Sequence, residues 1–392
     1  MAVLPPQKYR LRISQGRQIQ GSKKQVKLLI RLRQVGVTSL VLLCSTWPLG
    51  HAGRAWAQPA PGPKKTVSVV DCIGRKVSVP ARVERIACLY AFAAHVVVML
   101  DRGKNIVAVS KGPKRDVLLN RLCPEIGNAL VPKGQSNVNI EELLLARPDI
   151  VFVPGDIGRN ASELQKMETF RLPVLTVDYH DISGQQRAIA MIGEAIGARE
   201  RAEAYNRYYD RCIDRIREGV SHILPDQRVR AYLATVEATR TYGKQSLPAE
   251  WMRLCGIVNV AADQSLSIHQ AEQHASLEQI LRWNPEVIFT NEPGVAETIA
   301  QDSKWSSIRA VQQKKIYHMP IGISRWGHPG SLETPLAMLW AVKTVYPNLF
   351  AEMNIKNEVE KFYKEFFRLE ITDALYEQML SGKGMRKPKR KK

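Results

Sequence analysis

Residues 324–335 read SRWGHPGSLETP, and three of them are equipped for chemistry. Arg325 is a permanent cation whose forked donors match carboxylate, phosphate or oxyanion groups. Trp326 offers a flat apolar face to a macrocycle or aromatic chelator. His328 can hydrogen-bond or ligate a metal. The glycines and prolines around them mark an ordered loop, not a helix or strand. Thr334 and Pro335 then open a helix, with proline at its first position, ahead of the apolar run LAMLWAV. The loop thus leads into a helix N-terminus, where free N–H groups and the dipole favour negative charge. These residues make half of a cleft suited to an anionic metal complex. Each also has a plainer role open to it: Trp326 as a lid on the local core, Arg325 as partner of Glu333 or another acid, His328 as a structural hydrogen-bonder.

Such a loop needs a scaffold, and an internal repeat points to one. Residues 139–153, NIEELLLARPDIVFV, align without a gap on residues 276–290, SLEQILRWNPEVIFT. Each copy begins with a capping residue, Asn139 or Ser276, and has Glu142 or Gln279 three places on, a capping-box pattern. A short helix follows, then a helix-ending proline (Pro148, Pro285), then a β-branched and aromatic strand. One helix-to-strand step seen twice predicts two similar layered α/β lobes. Between the copies, apolar residues recur at helical spacing through residues 183–222. That predicts a long amphipathic helix, with a break near Gly197, acting as a stiff spacer.

In open α/β lobes, ligands sit beyond the carboxyl ends of the strands. Besides the 324–335 loop, three loops fit. Tyr90 follows the strand RIACL, Asp156 follows IVFV, and Tyr242 follows AYLATVEATR. Asp156 has the alternative of capping a helix. Tyr179-His180-Asp181 reads as a strand end running into the spacer, and His269 and His274 as loop residues. No catalytic or nucleotide-binding motif such as GxSxG, HExxH, a P-loop or GxGxxG occurs.

The 392 residues suffice for two domains, and 45% are apolar. The formal charge of +20 sits at the ends. Residues 1–57 carry ten Lys/Arg and no acid, and residues 383–392, KGMRKPKRKK, carry seven more, so the body is nearly neutral. That argues against nucleic-acid binding and predicts a solvated basic tail. Basic residues, the short apolar stretch VGVTSLVLLCSTWPLG and Ala55-Trp56-Ala57 have the order of a secretory signal. The stretch is short for a spanning helix. Cleavage after Ala57 leaves a flexible leader over 58–66 and an exported chain. Leu43, ahead of Cys44, is bulky for a lipidation site. Five widely spaced cysteines remain, without a CxxC pair, so most are expected to be small buried hydrophobes.

Several stretches resemble the substrate-binding proteins of ABC importers that handle ferric siderophores, haem, cobalamin and related metal compounds. Asp71-Cys72-Ile73-Gly74-Arg75-Lys76-Val77-Ser78-Val79-Pro80 is similar to that family's opening segment. Arg85–Leu89 is similar to its first core strand. The repeated P-[DE]-[IV]-[VI]-F and the Trp305–Tyr317 segment resemble its later signatures. The resemblance covers residues 67 to about 370. It implies an α/β fold of two Rossmann-like lobes bridged by one long α-helix, the helical-backbone metal-chelate-binding fold. The lobes would span 67–182 and 225–382, with the bridge at 183–224. It also implies cargo held between lobes that close only slightly, delivery to a membrane permease with its ATPase, a monomer and no permanently bound cofactor. Where many relatives carry a glutamate that meets the permease, this chain has His95, and Glu333 takes the corresponding place in the second lobe. The expected cargo is an iron complex or corrinoid. The alternatives are a small oxyanion such as molybdate or tungstate, or a sensor subunit with the same lobes.

Overall fold

The structure is a computed structural model that describes residues 65–134, 137–269 and 272–388. The proposed signal, its cleavage site and Cys44 lie outside the described residues, as do residues 389–392 of the basic tail. The first lobe opens with an antiparallel hairpin, β1 (Thr66–Val70) and β2 (Lys76–Pro80). Its parallel sheet contains β3 (Ile86–Cys88), β4 (Ile106–Val109), β5 (Ile150–Pro154) and β6 (Val174–Val177), in the order β4-β3-β5-β6. The second lobe contains β7 (Arg230–Ala234), β8 (Val258–Asn259), the small hairpin β9 (Ser267–His269) and β10 (Glu272–His274), then β11 (Val287–Thr290) and β12 (Ile316–His318). His269 and His274 therefore lie in hairpin strands, not in a plain loop. The second parallel sheet has the order β12-β11-β7-β8. Both sheets thus place their second strand outside the first and run the third and fourth on the other side.

The repeat occupies the same slot in both lobes. Helices Ile140–Leu145 and Leu277–Trp283 feed β5 and β11, the third strand of each sheet. Arg147 and Asn284, the residues before the prolines, both turn left-handed with φ 44°. Proline disfavours the right-handed helical region for its predecessor, so the helix stops there and the chain turns into the strand. Ser276 and Gln279 form a full capping box. At the first copy only half of it forms: Asn139 accepts from the Glu142 N–H, while the Glu142 carboxylate accepts from the Val131 N–H at 3.0 Å.

The bridge is two helices, Ile182–Ala195 and Arg199–Val220, broken at Gly197, whose φ is +69°. They fold back on each other. Asn206 Nδ2 donates to Gln186 O at 3.0 Å, and Gln186 Nε2 to Asp210 at 2.7 Å. A Cβ at Gly193 would meet Ala202 at 2.6 Å, so only glycine permits this approach. The 22-residue second helix, roughly 33 Å long, buries Tyr205, Tyr208, Tyr209, Cys212, Ile213 and Ile216. One continuous apolar core runs from Val69 through both bridge helices to Met385. Closing or opening the lobes must shear that core, which limits their travel. The two sheets stay separate, with no strand shared.

Cys88, Cys123, Cys212 and Cys255 are buried, Cys72 is half-buried, and all five are free thiols. Burial pushes the Cys212 thiol up to about 11 and the Cys123 thiol up to about 12, the latter helped by Glu125. They act as core-fillers, as their spacing suggested.

Candidate functional site

The 324–335 loop is built around a carboxylate. Glu333 is fully buried. Its oxygens accept from the Ile323 N–H at 3.1 Å, the Ser324 N–H at 2.8 Å and the Ser324 hydroxyl at 2.7 Å. The Trp326 indole N–H donates to it at 3.0 Å, and the Tyr363 hydroxyl does so too. Burial pushes the Glu333 carboxyl above its ordinary range, against the pull of these donors. Two expectations are corrected here. Glu333 has no exposed oxygen to offer a permease, because five donors enclose it. Trp326, 1% exposed, braces the loop from within and presents no face to a guest. Its role as a lid on the core is the one realised. His95, the other position considered for docking, is also buried and lies 3.1 Å from Asp116. As expected, the helix Thr334–Val345 starts with proline.

Arg325 turns the other way, into the gap between the lobes. Its Nη1 donates to Glu292 at 2.8 Å, and its side chain is 13% exposed. Glu292, not Glu333, is its partner. Glu292 lies just past the carboxyl end of β11, where a ligand is expected. Two more guanidinium groups approach the same carboxylate: Arg115 and Arg386, each 3.9 Å away. Arg386 Nε lies 3.2 Å from Asp116, which also faces His95. Asp116 belongs to the loop after β4, in the first lobe. The gap is therefore crossed by a line of charge, Asp116–Arg386–Glu292–Arg325, drawn from both lobes.

His328 is partly buried; its Nδ1 accepts from the Gly330 N–H at 3.0 Å, and the Tyr242 ring stands edge-on 6.3 Å away. Burial, reinforced by the positive charge of Arg325 and Arg386, holds His328 well below the ordinary histidine pKa. The folded state resists its protonation, while the unfolded chain takes the proton near pH ~6.5. Its stability contribution is full above that pH and is lost as the pH falls through it. Wild type should therefore lose more stability than His328→Gln between pH 7.5 and pH 5.5, read from urea midpoints. Equal losses would contradict the assignment.

Tyr90, after β3, packs 6.5 Å from Tyr179, after β6, and Phe92 meets Tyr179 edge-on at 4.9 Å. The Tyr179 hydroxyl donates to Pro329 O at 2.9 Å, tying the first lobe to the loop. Gln185, from the bridge, donates to Ser331 O at 3.0 Å. A cavity of about 290 Å³ nearby is lined by Tyr179 and His180 of the first lobe and by Tyr242, Gln245, Gln273 and Pro329 of the second. Other concavities, such as the one along Arg75 and Val174, belong to a single lobe. Asp156 is exposed at the first turn of the short helix Gly155–Gly158, near Tyr90 but outside the arginine group.

The fold thus gathers Arg325, His328 and Tyr242, sets Tyr90 beside them through Tyr179, leaves Asp156 at the rim and withdraws Trp326 and Glu333. Sequence reading missed Glu292, Asp116, Arg115, Arg386 and Tyr179. Glu292 had a signal: it comes two residues after the second copy of the repeat, at a strand's carboxyl end.

The sequence profile of the periplasmic binding protein family matches residues 86–321. The molybdate-binding protein MolA of Haemophilus influenzae is 29% identical over 324 residues, 76% of this chain and 90% of that protein. Its molybdate-bound structure superposes with a TM-score of 0.69 at 25% identity, covering 78% of this chain and 99% of that one. An ABC transporter substrate-binding lipoprotein of Bacillus subtilis, YvrC, is 23% identical, over 82% of this chain and 99% of that protein. The vitamin B12-binding protein of Vibrio cholerae is 24% identical, over 61% of this chain and 81% of its own length. The structural match to MolA spans nearly all of that protein, and the profile spans more than half of this sequence: the chain belongs to the periplasmic binding protein family.

Proposed function

We propose that the chain is the substrate-binding component of an ABC importer and that its cargo is a small oxyanion of the molybdate or tungstate class. One observation carries this reading: three guanidinium groups, Arg325, Arg115 and Arg386, converge on one carboxylate in the gap between the lobes. Glu292 occupies the position of a counterion. A tetrahedral dianion has the charge and acceptor oxygens to take its place at the guanidinium forks. Trp326 is buried, so the broad face that a corrinoid or haem would stack on is not presented. The molybdate-binding relative supports the same class.

A second reading keeps the transport role and changes the cargo to an iron complex or corrinoid. The partly exposed rings of Tyr90 and Tyr179 at the cleft and the vitamin B12-binding relative favour it. A bare transition-metal ion has less support, since among the described residues no three His, Cys, Asp or Glu are grouped to hold one. The working form in this reading is an exported monomer, free of resident cofactor and without turnover. It hands its cargo to a permease and ATPase. Among the described residues no helix is long and apolar enough to cross a membrane.

The test is a titration with molybdate, tungstate, haem, cobalamin and ferric siderophores, read by tryptophan fluorescence and by heat. Trp326 and Trp251, whose indole N–H donates to Gly327 O, lie under the loop as reporters. Saturable one-site binding of molybdate or tungstate is expected. Saturation by cobalamin or an iron chelate alone would replace the oxyanion reading with the second.

A further inference from the structure

The basic C-terminus was expected to be solvated; Lys383, Gly384, Lys387 and Pro388 are exposed, whereas Met385 and Arg386 turn inward. The helix Asp373–Ser381 ends at Gly382, whose φ is +66°. Gly382 packs on Ile321 and His318 of the second lobe, and Met379 O accepts from the Ile321 N–H at 2.8 Å. From there the chain crosses to the first lobe. The Val117 N–H donates to Met385 O at 3.0 Å, and the Lys387 N–H to Arg115 O at 2.8 Å. Arg115 Nε donates to Lys387 O at 2.9 Å, and Asp116 and Arg386 form an antiparallel bridge. Met385 is 2% exposed and joins the shared core.

This strap carries a cation inward. The Arg386 side chain is only 10% exposed. It faces Asp116 of one lobe and Glu292 of the other, and its buried Nε makes no well-formed hydrogen bond. A guanidinium has five N–H donors and no acceptor. The Arg386 Nη1 lies 3.9 Å from Glu292, too far for a hydrogen bond, and a guest with several acceptor oxygens in place of that carboxylate would accept from it. Arg325 Nη1 and Arg386 Nη1 face the same Glu292 oxygen, Oε2, at 2.8 and 3.9 Å.

We infer that the C-terminal strap is part of the cargo site: it fastens the two lobes across the cleft, and Arg386 supplies a second buried guanidinium that grips the oxyanion beside Arg325. The inference rests on the oxyanion reading above. It makes the strap a built-in clasp that tightens around cargo, and it makes Arg386 a determinant of charge selectivity.

The experiment measures molybdate affinity by calorimetry at one fixed ionic strength for wild type, Arg386→Gln, Arg386→Lys and a chain ending at Gly382. The glutamine variant and the shortened chain should bind at least tenfold more weakly, with Arg386→Lys restoring most of the loss. A purely structural strap would not distinguish lysine from glutamine in this way. Wild-type affinity in Arg386→Gln, or tighter binding in the shortened chain, would overturn the inference while leaving the oxyanion reading intact. A wild-type protein indifferent to oxyanions would overturn both. Hydrogen exchange on the unaltered protein tests the clasp without relying on a variant that folds. Saturating molybdate should slow exchange at Val117 and Lys387, and unchanged exchange would overturn the clasp.

Discussion

Replacing Arg325 by alanine should weaken molybdate binding by about 1.5–3 kcal/mol, the worth of a charge-assisted hydrogen bond in a site shielded from water. That is roughly 10- to 150-fold in Kd. The fold should survive, because Arg325 lies in the gap and Glu292 keeps Arg115 and Arg386 within 3.9 Å. Changing Glu292 to glutamine should act in the opposite direction. It removes the negative charge that competes with cargo for the same guanidinium forks, so affinity should rise. Calorimetric titration of the two variants beside wild type reads both signs. If Arg325→Ala binds like wild type, or if Glu292→Gln binds more weakly, the carboxylate is a structural partner of the arginine and not a stand-in for cargo.

The larger effect on stability belongs to Glu333. Its removal leaves the Ser324 N–H, the Trp326 indole N–H and the Tyr363 hydroxyl buried without that acceptor, while the Ile323 N–H keeps the Tyr363 oxygen at 3.2 Å. Each stranded donor costs about 1–3 kcal/mol, though some regain partners as the loop relaxes. Glu333→Ala should therefore lose about 3–5 kcal/mol, in the range reserved for broken buried networks. Chemical denaturation followed by far-UV circular dichroism measures it. Glu333→Gln should recover only part of the loss, because both carboxylate oxygens accept from N–H or O–H groups and an amide nitrogen would face one set of them. A loss below about 1 kcal/mol in the alanine variant would mean that the loop is held by other means. Because the same network orders the backbone that carries Arg325, the variant's affinity for cargo should fall along with its stability.

How much of this was legible in the sequence depends on the range over which each feature is encoded. The repeat at 139–153 and 276–290 was readable because capping residue, helix, proline and strand are local, and both copies proved to occupy the third strand's slot. The bridging helices were readable from the spacing of Tyr205, Tyr208, Tyr209 and Ile216, and the break from Gly197. Arg325 and Tyr242 could be proposed for the cleft because strand ends point to it in any open α/β sheet. Burial is another matter. Glu333 and Trp326 lie on a Gly/Pro-rich loop, and a loop normally runs over the surface. Only the tertiary arrangement, with Tyr363 arriving from a distant helix, turns them inward. Asp116, Glu292 and Arg386 come from three separate segments with no shared spacing, so no local pattern could have joined them. The basic C-terminus has the composition of a solvated tail, and what fixes residues 383–388 is backbone pairing with Arg115 and Val117, which composition does not record.

The most direct test of the central claim is a crystal structure of the protein with tungstate, located by its anomalous scattering. The account predicts one strong peak between the lobes, within hydrogen-bonding distance of Arg325 and Arg386, with the Glu292 carboxylate displaced from the Arg325 fork. A peak confined to one lobe or to the outer surface, or no peak at a tungstate concentration that saturates the protein in solution, would contradict it.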